Sequence, residues 1–343
     1  MKVGLIGHQG SGKTAIFNAL TGLNAQLGQG EKTESRIGVT KVPDVRVDRL
    51  AAIFQPRKTT YAEIRFTDFP AQQSKEKLKA NSNLLSQMRD VDAMALVLRD
   101  FDGSSEPLKE LRDLLAEMIL ADLAVVENRL ARLKKEKGKE REAEALARCL
   151  KTLESEESLR ASSFSPDEET LLSGFGFLSR KPVIALFNVA EERAGKEIPD
   201  SYQAELEKLR IPGLSLSAKV EMEVAQLEEK DRQAFLTELG IQAPARDRFI
   251  RASYGLLDLI SFFTTVADEV KAWTIKQGTP ARKAAGKVHS DIERGFIRAE
   301  VAAYDDFIRY GSEAKCREAG KLRLEGKDYP VQDGDIIHFR FNV

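Results

Sequence analysis

The chain has 343 residues, 42 % of them apolar, which is enough for two or three domains with cores of their own and argues against disorder of the whole. Lys and Arg number 53 against 54 Asp and Glu, so no global field demands a polyanionic partner, and Cys149 and Cys316, with no second thiol or ligand-spaced histidine nearby, exclude a disulfide scaffold and structural zinc. No stretch approaches the ~18 uninterrupted apolar residues of a membrane span, and the first apolar run is too short for a secretory core, so a reducing, cytoplasmic setting without a membrane partner is expected.

Lys2–Gly7 reads as a short buried strand and Lys13–Leu20 as a helix, with a glycine-rich turn between them. Val39–Val47 is extended and broken by Pro43; Arg46–Phe54 returns to helical spacing before Pro56, and Ala62–Thr67 alternates as a strand does. Ala93–Leu98 and Pro182–Phe187 are continuous apolar runs, the pattern of parallel strands covered on both faces. From about 106 to about 157 the composition shifts to Leu, Ala, Glu, Lys and Arg. Leu108, Leu111, Leu115, Ile119, Leu123, Val126, Leu130 and Leu133 form one helical stripe, and Leu146, Leu150 and Leu153 resume it beyond a charged turn. An inserted helical hairpin accounts for this, as do plain helices packed on the domain. Val224, Leu227, Phe235, Leu236 and Leu239 fit one later helical face, and Leu256, Leu257, Ile260 and Phe263 another. Beyond about 268, Trp273–Lys276, Gly295–Val301 and Asp335–Phe341 read as strands. The expected fold class is α/β: a P-loop nucleotide-binding domain over 1–105 and 162–267, a helical hairpin over 106–161, and a small β domain over 268–343.

Gly7-His-Gln-Gly-Ser-Gly-Lys-Thr14 satisfies G-x-x-x-x-G-K-[ST] between a strand and a helix. The glycines permit the tight path that aims successive amides at phosphate, at the start of a helix whose dipole favours an anion. Gly10, Ser11 and Gly12 thus cradle the phosphates, Lys13 reaches the β- and γ-phosphates as the catalytic ammonium, and Thr14 holds Mg²⁺. Asp68 ends the Ala62–Thr67 strand, where a carboxylate approaches the metal through water; a plain turn residue is the other reading. Ala71 stands where D-x-x-G has glycine. Gln72 either orients the attacking water or makes a surface hydrogen bond. One of Thr33, Ser35, Thr40, Thr59 and Thr60 is expected to complete the metal shell, with no feature that selects among them.

Asn188-Val-Ala-Glu191 and Ser217-Ala-Lys219 follow two apolar runs, at the positions where GTPases carry N-K-x-D and S-A-K. In N-K-x-D the aspartate accepts guanine N1–H and N2–H together; Glu191 is one methylene longer and Val189 replaces the lysine, which weakens that selection.

With these motifs the chain resembles the YchF family of Obg-related P-loop proteins over nearly its whole length. The resemblance rests on Val42–Ile53, Asp90-Val-Asp92, Asn188–Glu191, Ser217–Lys219, Phe235–Gly240, Val270–Lys276, His289–Glu300, Tyr310–Ser312, Ala319–Tyr329 and Val331–Val343. It implies a G-domain, an inserted hairpin and a C-terminal TGS domain of the ubiquitin-like β-grasp kind. It also implies an ATPase or dual-specificity ATP/GTP enzyme with ATP and Mg²⁺ as ligands, and association with ribosomal RNA or protein. Asn188, Val189, Glu191, Ser217, Ala218 and Lys219 would line the base. Three positions depart from the family: His8–Ser11 in the loop, Ala71, and Gln72. The segment where the family carries a catalytic histidine is shortened here to Phe101–Ser105, so no histidine is carried over. In the C-terminal region Lys271, Arg298, Arg317 and Arg323 are among cations that either meet RNA phosphates or belong to a solvated mixed-charge face, while Trp273, Phe296, Phe307, Tyr310, Tyr329, Phe339 and Phe341 read as core. A GTP-dependent switch, or a ribosome-binding module that uses nucleotide as a structural ligand, are the alternatives to an ATPase.

Overall fold

Val3, Leu5 and Ile6 are at most 2 % exposed, and the strand they belong to, β1 (Lys2–Ile6), anchors a six-stranded sheet. A computed structural model describes residues 1–23, 35–70, 82–241, 243–266 and 268–342. The glycine loop leads from β1 into α1 (Lys13–Thr21). The chain continues through β2 (Arg36–Lys41), α2 (Val45–Phe54), β3 (Lys58–Thr60), β4 (Glu63–Asp68) and β5 (Ala93–Asp100). β6 (Val183–Val189) and β7 (Gly213–Leu216) follow, and the sheet order is β2-β4-β1-β5-β6-β7. β4, β1, β5, β6 and β7 run parallel, so their carboxyl ends lie at one edge of the sheet. β6 is buried at every residue, which is why its sequence shows no alternation. This is the doubly covered α/β sheet of P-loop proteins, as the sequence predicts, and open sheets of this kind bind ligands outside the carboxyl ends of their strands.

The helix Pro107–Leu133 serves two cores. Leu111, Leu114, Leu115 and Met118 pack with Leu96, Leu98, Phe187 and Val189 of the sheet. Ile119, Val126 and Leu133 pack instead with Leu146, Cys149 and Leu153 of the helix Glu140–Glu154. The single stripe read in the sequence is therefore divided: its first turns belong to the nucleotide-domain core, and its last turns to the helical pair. Asp122, fully buried at the crossover, accepts the backbone N–H of Leu178 (3.0 Å) and Ser179 (2.7 Å). Those bonds fix the helix to the segment entering β6, although burial still pushes the Asp122 carboxyl above its usual range.

The thiol of Cys149 is fully buried in this helical core, and burial pushes its pKa up to about 11. Thiolate being the reactive form, iodoacetamide at pH 8 should alkylate Cys149 about 100-fold more slowly than a free thiol until denaturant is added. Equal rates in folded and unfolded protein, read by mass spectrometry of the Cys149 peptide, would contradict this packing.

The chain divides into two compact units, 2–39 with 65–249, and 40–64 with 250–343. The second unit therefore begins earlier than 268 and also takes in a segment from the first quarter of the sequence. Its sheet has the order β11-β10-β12-β8-β9-β3, from β8 (Leu259–Val266), β9 (Glu269–Lys276), β10 (Phe296–Ala303), β11 (Arg323–Glu325), β12 (Asp335–Phe341) and the far β3. Ile260 and Phe263 lie on β8, not on the helical face expected for them. The helix Ala245–Leu256 ends, Asp258 takes a positive φ of 50°, and the β-branched and aromatic run Ile260–Val266 pairs antiparallel with β9. Ala281, Ala284 and Ala285, all fully buried, bring the helix Ala281–Val288 close against Ile260, Phe262, Val301, Ile337 and Phe339.

α2 is a true member of this unit. Asp44 caps it by accepting the N–H of Arg46, and the Arg46 guanidinium bridges Asp44 and Asp333. Asp333 in turn accepts the N–H of Ser261 at 2.9 Å. Phe54 at the end of α2 stacks on Phe307. Among the aromatic residues expected in this core, Phe296 and Phe339 pack in the cluster and Phe307 is fully buried, whereas Phe341 is 47 % exposed. Many of the cations there already have carboxylate partners: Arg298, Arg317 and Arg340 converge on Glu300, Lys283 pairs with Glu293, and Arg323 with Asp335.

Candidate nucleotide-binding site

The turn after β1 can be followed residue by residue. Gly10 and Gly12 sit at φ of +81° and +83°, a region that side chains rarely enter. Gly12 has a second reason to be glycine: a Cβ there would lie 2.0 Å from the amide nitrogen of Asn188. Gly12 also precedes α1 as its N-cap with no side-chain cap, so the first-turn amides of that nine-residue helix are not satisfied by a capping side chain. Ser11 is 1 % exposed, and its Oγ has no hydrogen-bond partner among the described residues. Amides at a helix start and an orphaned buried hydroxyl in one turn suit the oxygens of a phosphate.

Below this turn lies Asp68, fully buried at the end of β4. The register pairs it with Leu5 of β1, and Phe69 donates its N–H to the Leu5 carbonyl. Lys13, only 5 % exposed, places its Nζ 3.3 Å from Asp68 Oδ1, and Thr14 Oγ1 donates to Asp68 Oδ2 at 3.2 Å. A buried carboxylate is tolerable because an ammonium and a hydroxyl compensate it. Lys13 and Thr14 thus both meet Asp68 beneath the glycine turn, at the position where the sequence reading expects a carboxylate that serves the metal. Hydroxyl and carboxylate oxygen are the hard donors Mg²⁺ takes, and Mg²⁺ keeps most of its shell as water and phosphate oxygen.

Asn188 joins the phosphate turn to the base side. Its Nδ2 donates to the Ser11 carbonyl and its Oδ1 accepts from Ala218 N–H, both at 3.0 Å, with the residue 5 % exposed. Ser217 and Ala218, 3 % and 5 % exposed, begin the helix Ala218–Gln226. Glu191 opens a short turn after β6, and its carboxylate meets the Lys219 ammonium at 2.5 Å. That hydrogen bond raises the Lys219 pKa.

Several expected residues fall elsewhere. The Val189 side chain is 2 % exposed and packs in the sheet core, leaving its main chain alone to meet a base. Thr59 and Thr60 are in β3 beside β9, and Thr60 donates to Glu269. Ser35 donates its hydroxyl to Gln87. Thr33, Ala71 and Gln72 lie outside the described residues. One neighbour was missed: Phe101, 40 % exposed just past β5, has a ring carbon 4.0 Å from where a Gly12 Cβ would be. Its signal was an aromatic residue directly after a parallel strand.

Known proteins resemble the chain over its length. Residues 2–129 match the family described as 50S ribosome-binding GTPase. Residues 259–342 match the model of the YchF GTPase C-terminal region, described as a protein of unknown function. The ribosome-binding ATPase YchF of Bacillus subtilis is 36 % identical over the full length of both chains. That of Pasteurella multocida is 38 % identical over all of this chain and 99 % of its own. The solved YchF GTPase of Schizosaccharomyces pombe superposes with a TM-score of 0.82 at 26 % identity, covering 99 % of this chain and 97 % of that one.

Proposed function

The chain belongs to the YchF family of P-loop nucleoside triphosphatases, and on that premise we propose that it is a Mg²⁺-dependent ATPase that accepts ATP in preference to GTP and associates with the ribosome. The observation that carries the reading is the convergence of Lys13 and Thr14 on buried Asp68 beneath the glycine turn. In this reading Lys13 stabilises charge developing on the transferred phosphoryl group, while Thr14 and Asp68 would hold the metal. When bound there, Mg²⁺ would supply neutralisation of phosphate charge. Asn188 ties the phosphate turn to the helix that begins at Ala218.

ATP preference is supported by Glu191, whose longer carboxylate fits poorly against the paired donors of guanine. Ribosome association is supported by relatives named as ribosome-binding ATPases. The helices Pro107–Leu133 and Glu140–Glu154 would be the hairpin insert, and the second sheet a TGS-like β-grasp module that meets ribosomal RNA or protein. A cytoplasmic location follows from that partner.

The test is competitive titration of Mg-ATP and Mg-GTP, followed by phosphate release with and without purified ribosomes. The expected result is a lower Kd for ATP and turnover that ribosomes change. Tighter GTP binding would favour the GTP-switch alternative, and turnover no greater than that of Lys13→Ala under both conditions would make the nucleotide a structural ligand.

A further inference from the structure

We propose that the tip of the helical pair, from Arg132 to Arg141, is a contact surface for the phosphate backbone of RNA. This rests on the ribosome-associating reading above and names the surface and the chemistry through which it acts.

In sequence the tip is mixed in charge: Arg132, Lys134, Lys135, Lys137, Lys139 and Arg141 are interleaved with Glu136, Glu140 and Glu142. In the fold the two signs separate. The Arg129 guanidinium reaches both Glu136, through Nη1 at 2.9 Å, and Glu142, through Nε at 2.7 Å. Glu140 accepts the N–H of Gly138, where the chain turns at a φ of +76°. Lys139 stands 3.8 Å from Glu142. Arg132, Lys134, Lys135, Lys137 and Arg141 are exposed and form no ion pair among the described residues. One arginine thus engages two of the three carboxylates of the tip, while five cations keep their charge for a partner. Glu144, further along the second helix, offsets one of them at most.

Helix electrostatics accounts for part of this arrangement. Arg132, Lys134 and Lys135 lie at the carboxyl end of the helix Pro107–Leu133, where a cation is favoured. Arg141 lies in the first turn of the helix Glu140–Glu154, where the helix dipole opposes a cation, so helix stability gives no reason for it.

The chemistry of the tip selects the partner. The exposed stretch 134–141 contains no apolar or aromatic side chain. A protein interface is anchored by buried apolar or aromatic groups, and RNA bases are read by stacking on aromatic faces. Clustered cations with neither suit phosphate oxygens, bound with release of counterions and without regard to base sequence. The tip also has reach. Ala121 is the last residue of the first helix in the sheet-side core, and Leu133 lies roughly 18 Å further along the helix axis. The stretch matched by the ribosome-binding GTPase family ends at 129, before the tip.

The experiment compares the full-length wild type with two triple variants. One, Lys134→Gln with Lys135→Gln and Lys137→Gln, removes charge from the tip. The other, Lys109→Gln with Lys208→Gln and Lys230→Gln, removes as much charge from lysines that already have carboxylate partners. Binding is read by anisotropy of a labelled RNA duplex of about 20 base pairs over a salt series, and by co-sedimentation with purified ribosomes. Mg-ATP affinity should stay unchanged in the tip variant, which shows that the nucleotide domain is intact. The tip variant should bind the duplex about 10-fold more weakly and flatten the slope of log affinity against log salt by about two to three. The control variant should stay within about twofold of the wild type. The proposal is overturned if the tip variant binds the duplex no more weakly than the control, or if the wild type shows no salt-dependent duplex affinity. It is also overturned if the tip variant loses ribosomes but keeps the duplex, which would make the partner an acidic protein. A wild type that fails to sediment with ribosomes would instead refute the ribosome-associating reading, and the duplex titration would still decide the role of the tip.

Discussion

Lys13→Ala should reduce affinity for Mg-ATP about 100-fold, because hydrogen bonds from an ammonium to phosphate are worth up to about 3 kcal/mol where water is displaced. The same substitution should lower the melting temperature of the nucleotide-free protein. Asp68 is fully buried and loses its ammonium partner, and removing one member of a buried pair costs about 3–5 kcal/mol. The two effects can be separated. Lys13→Met combined with Asp68→Asn replaces the charges together and should recover most of the stability while leaving nucleotide affinity low. A double variant that recovered affinity as well would mean that Lys13 serves Asp68 and not phosphate. Unchanged affinity in Lys13→Ala would be equally damaging.

Asn188→Ala is the second large effect. The side chain satisfies the buried Ser11 carbonyl and the buried Ala218 N–H at once. Its removal orphans both, at about 1–3 kcal/mol each, so a loss of roughly 3 kcal/mol in unfolding free energy is expected from urea titration. Nucleotide affinity should fall too, since the phosphate turn is no longer tied to the helix that begins at Ala218. A variant within about 0.5 kcal/mol of the wild type, the range of ordinary surface substitutions, would show that these bonds carry little.

The phosphate turn was legible in the sequence because its chemistry is local: two glycines, a lysine and a threonine at fixed spacing define a backbone path almost independently of the rest of the chain. Asp68 was legible for a related reason, since the end of a strand parallel to β1 must lie beside the turn that follows β1. The losses were non-local. Leu256, Leu257, Ile260 and Phe263 keep helical spacing, yet the pairing of β8 with β9 decides the conformation of the last two. Nothing in Lys58–Thr60 announces a strand beside β9, more than two hundred residues later in the chain. Recruitment of 40–64 to the C-terminal unit thus escaped a reading based on composition, and Thr59 and Thr60 were kept as metal candidates. Val189 was placed at the base by its motif position, whereas the burial of every residue of β6 turns its side chain inward. Asn188 was read for the base alone; its bond to Ser11 joins residues 177 positions apart.

The most direct measurement is an isothermal titration of the folded, nucleotide-free chain with Mg-ATP, repeated with EDTA in place of magnesium. One saturable site per chain is expected, weakened severalfold or more when the metal is withdrawn. Absence of saturable binding by a well-folded preparation, or affinity indifferent to magnesium, would contradict the assignment of Lys13, Thr14 and Asp68 to a metal-bound triphosphate.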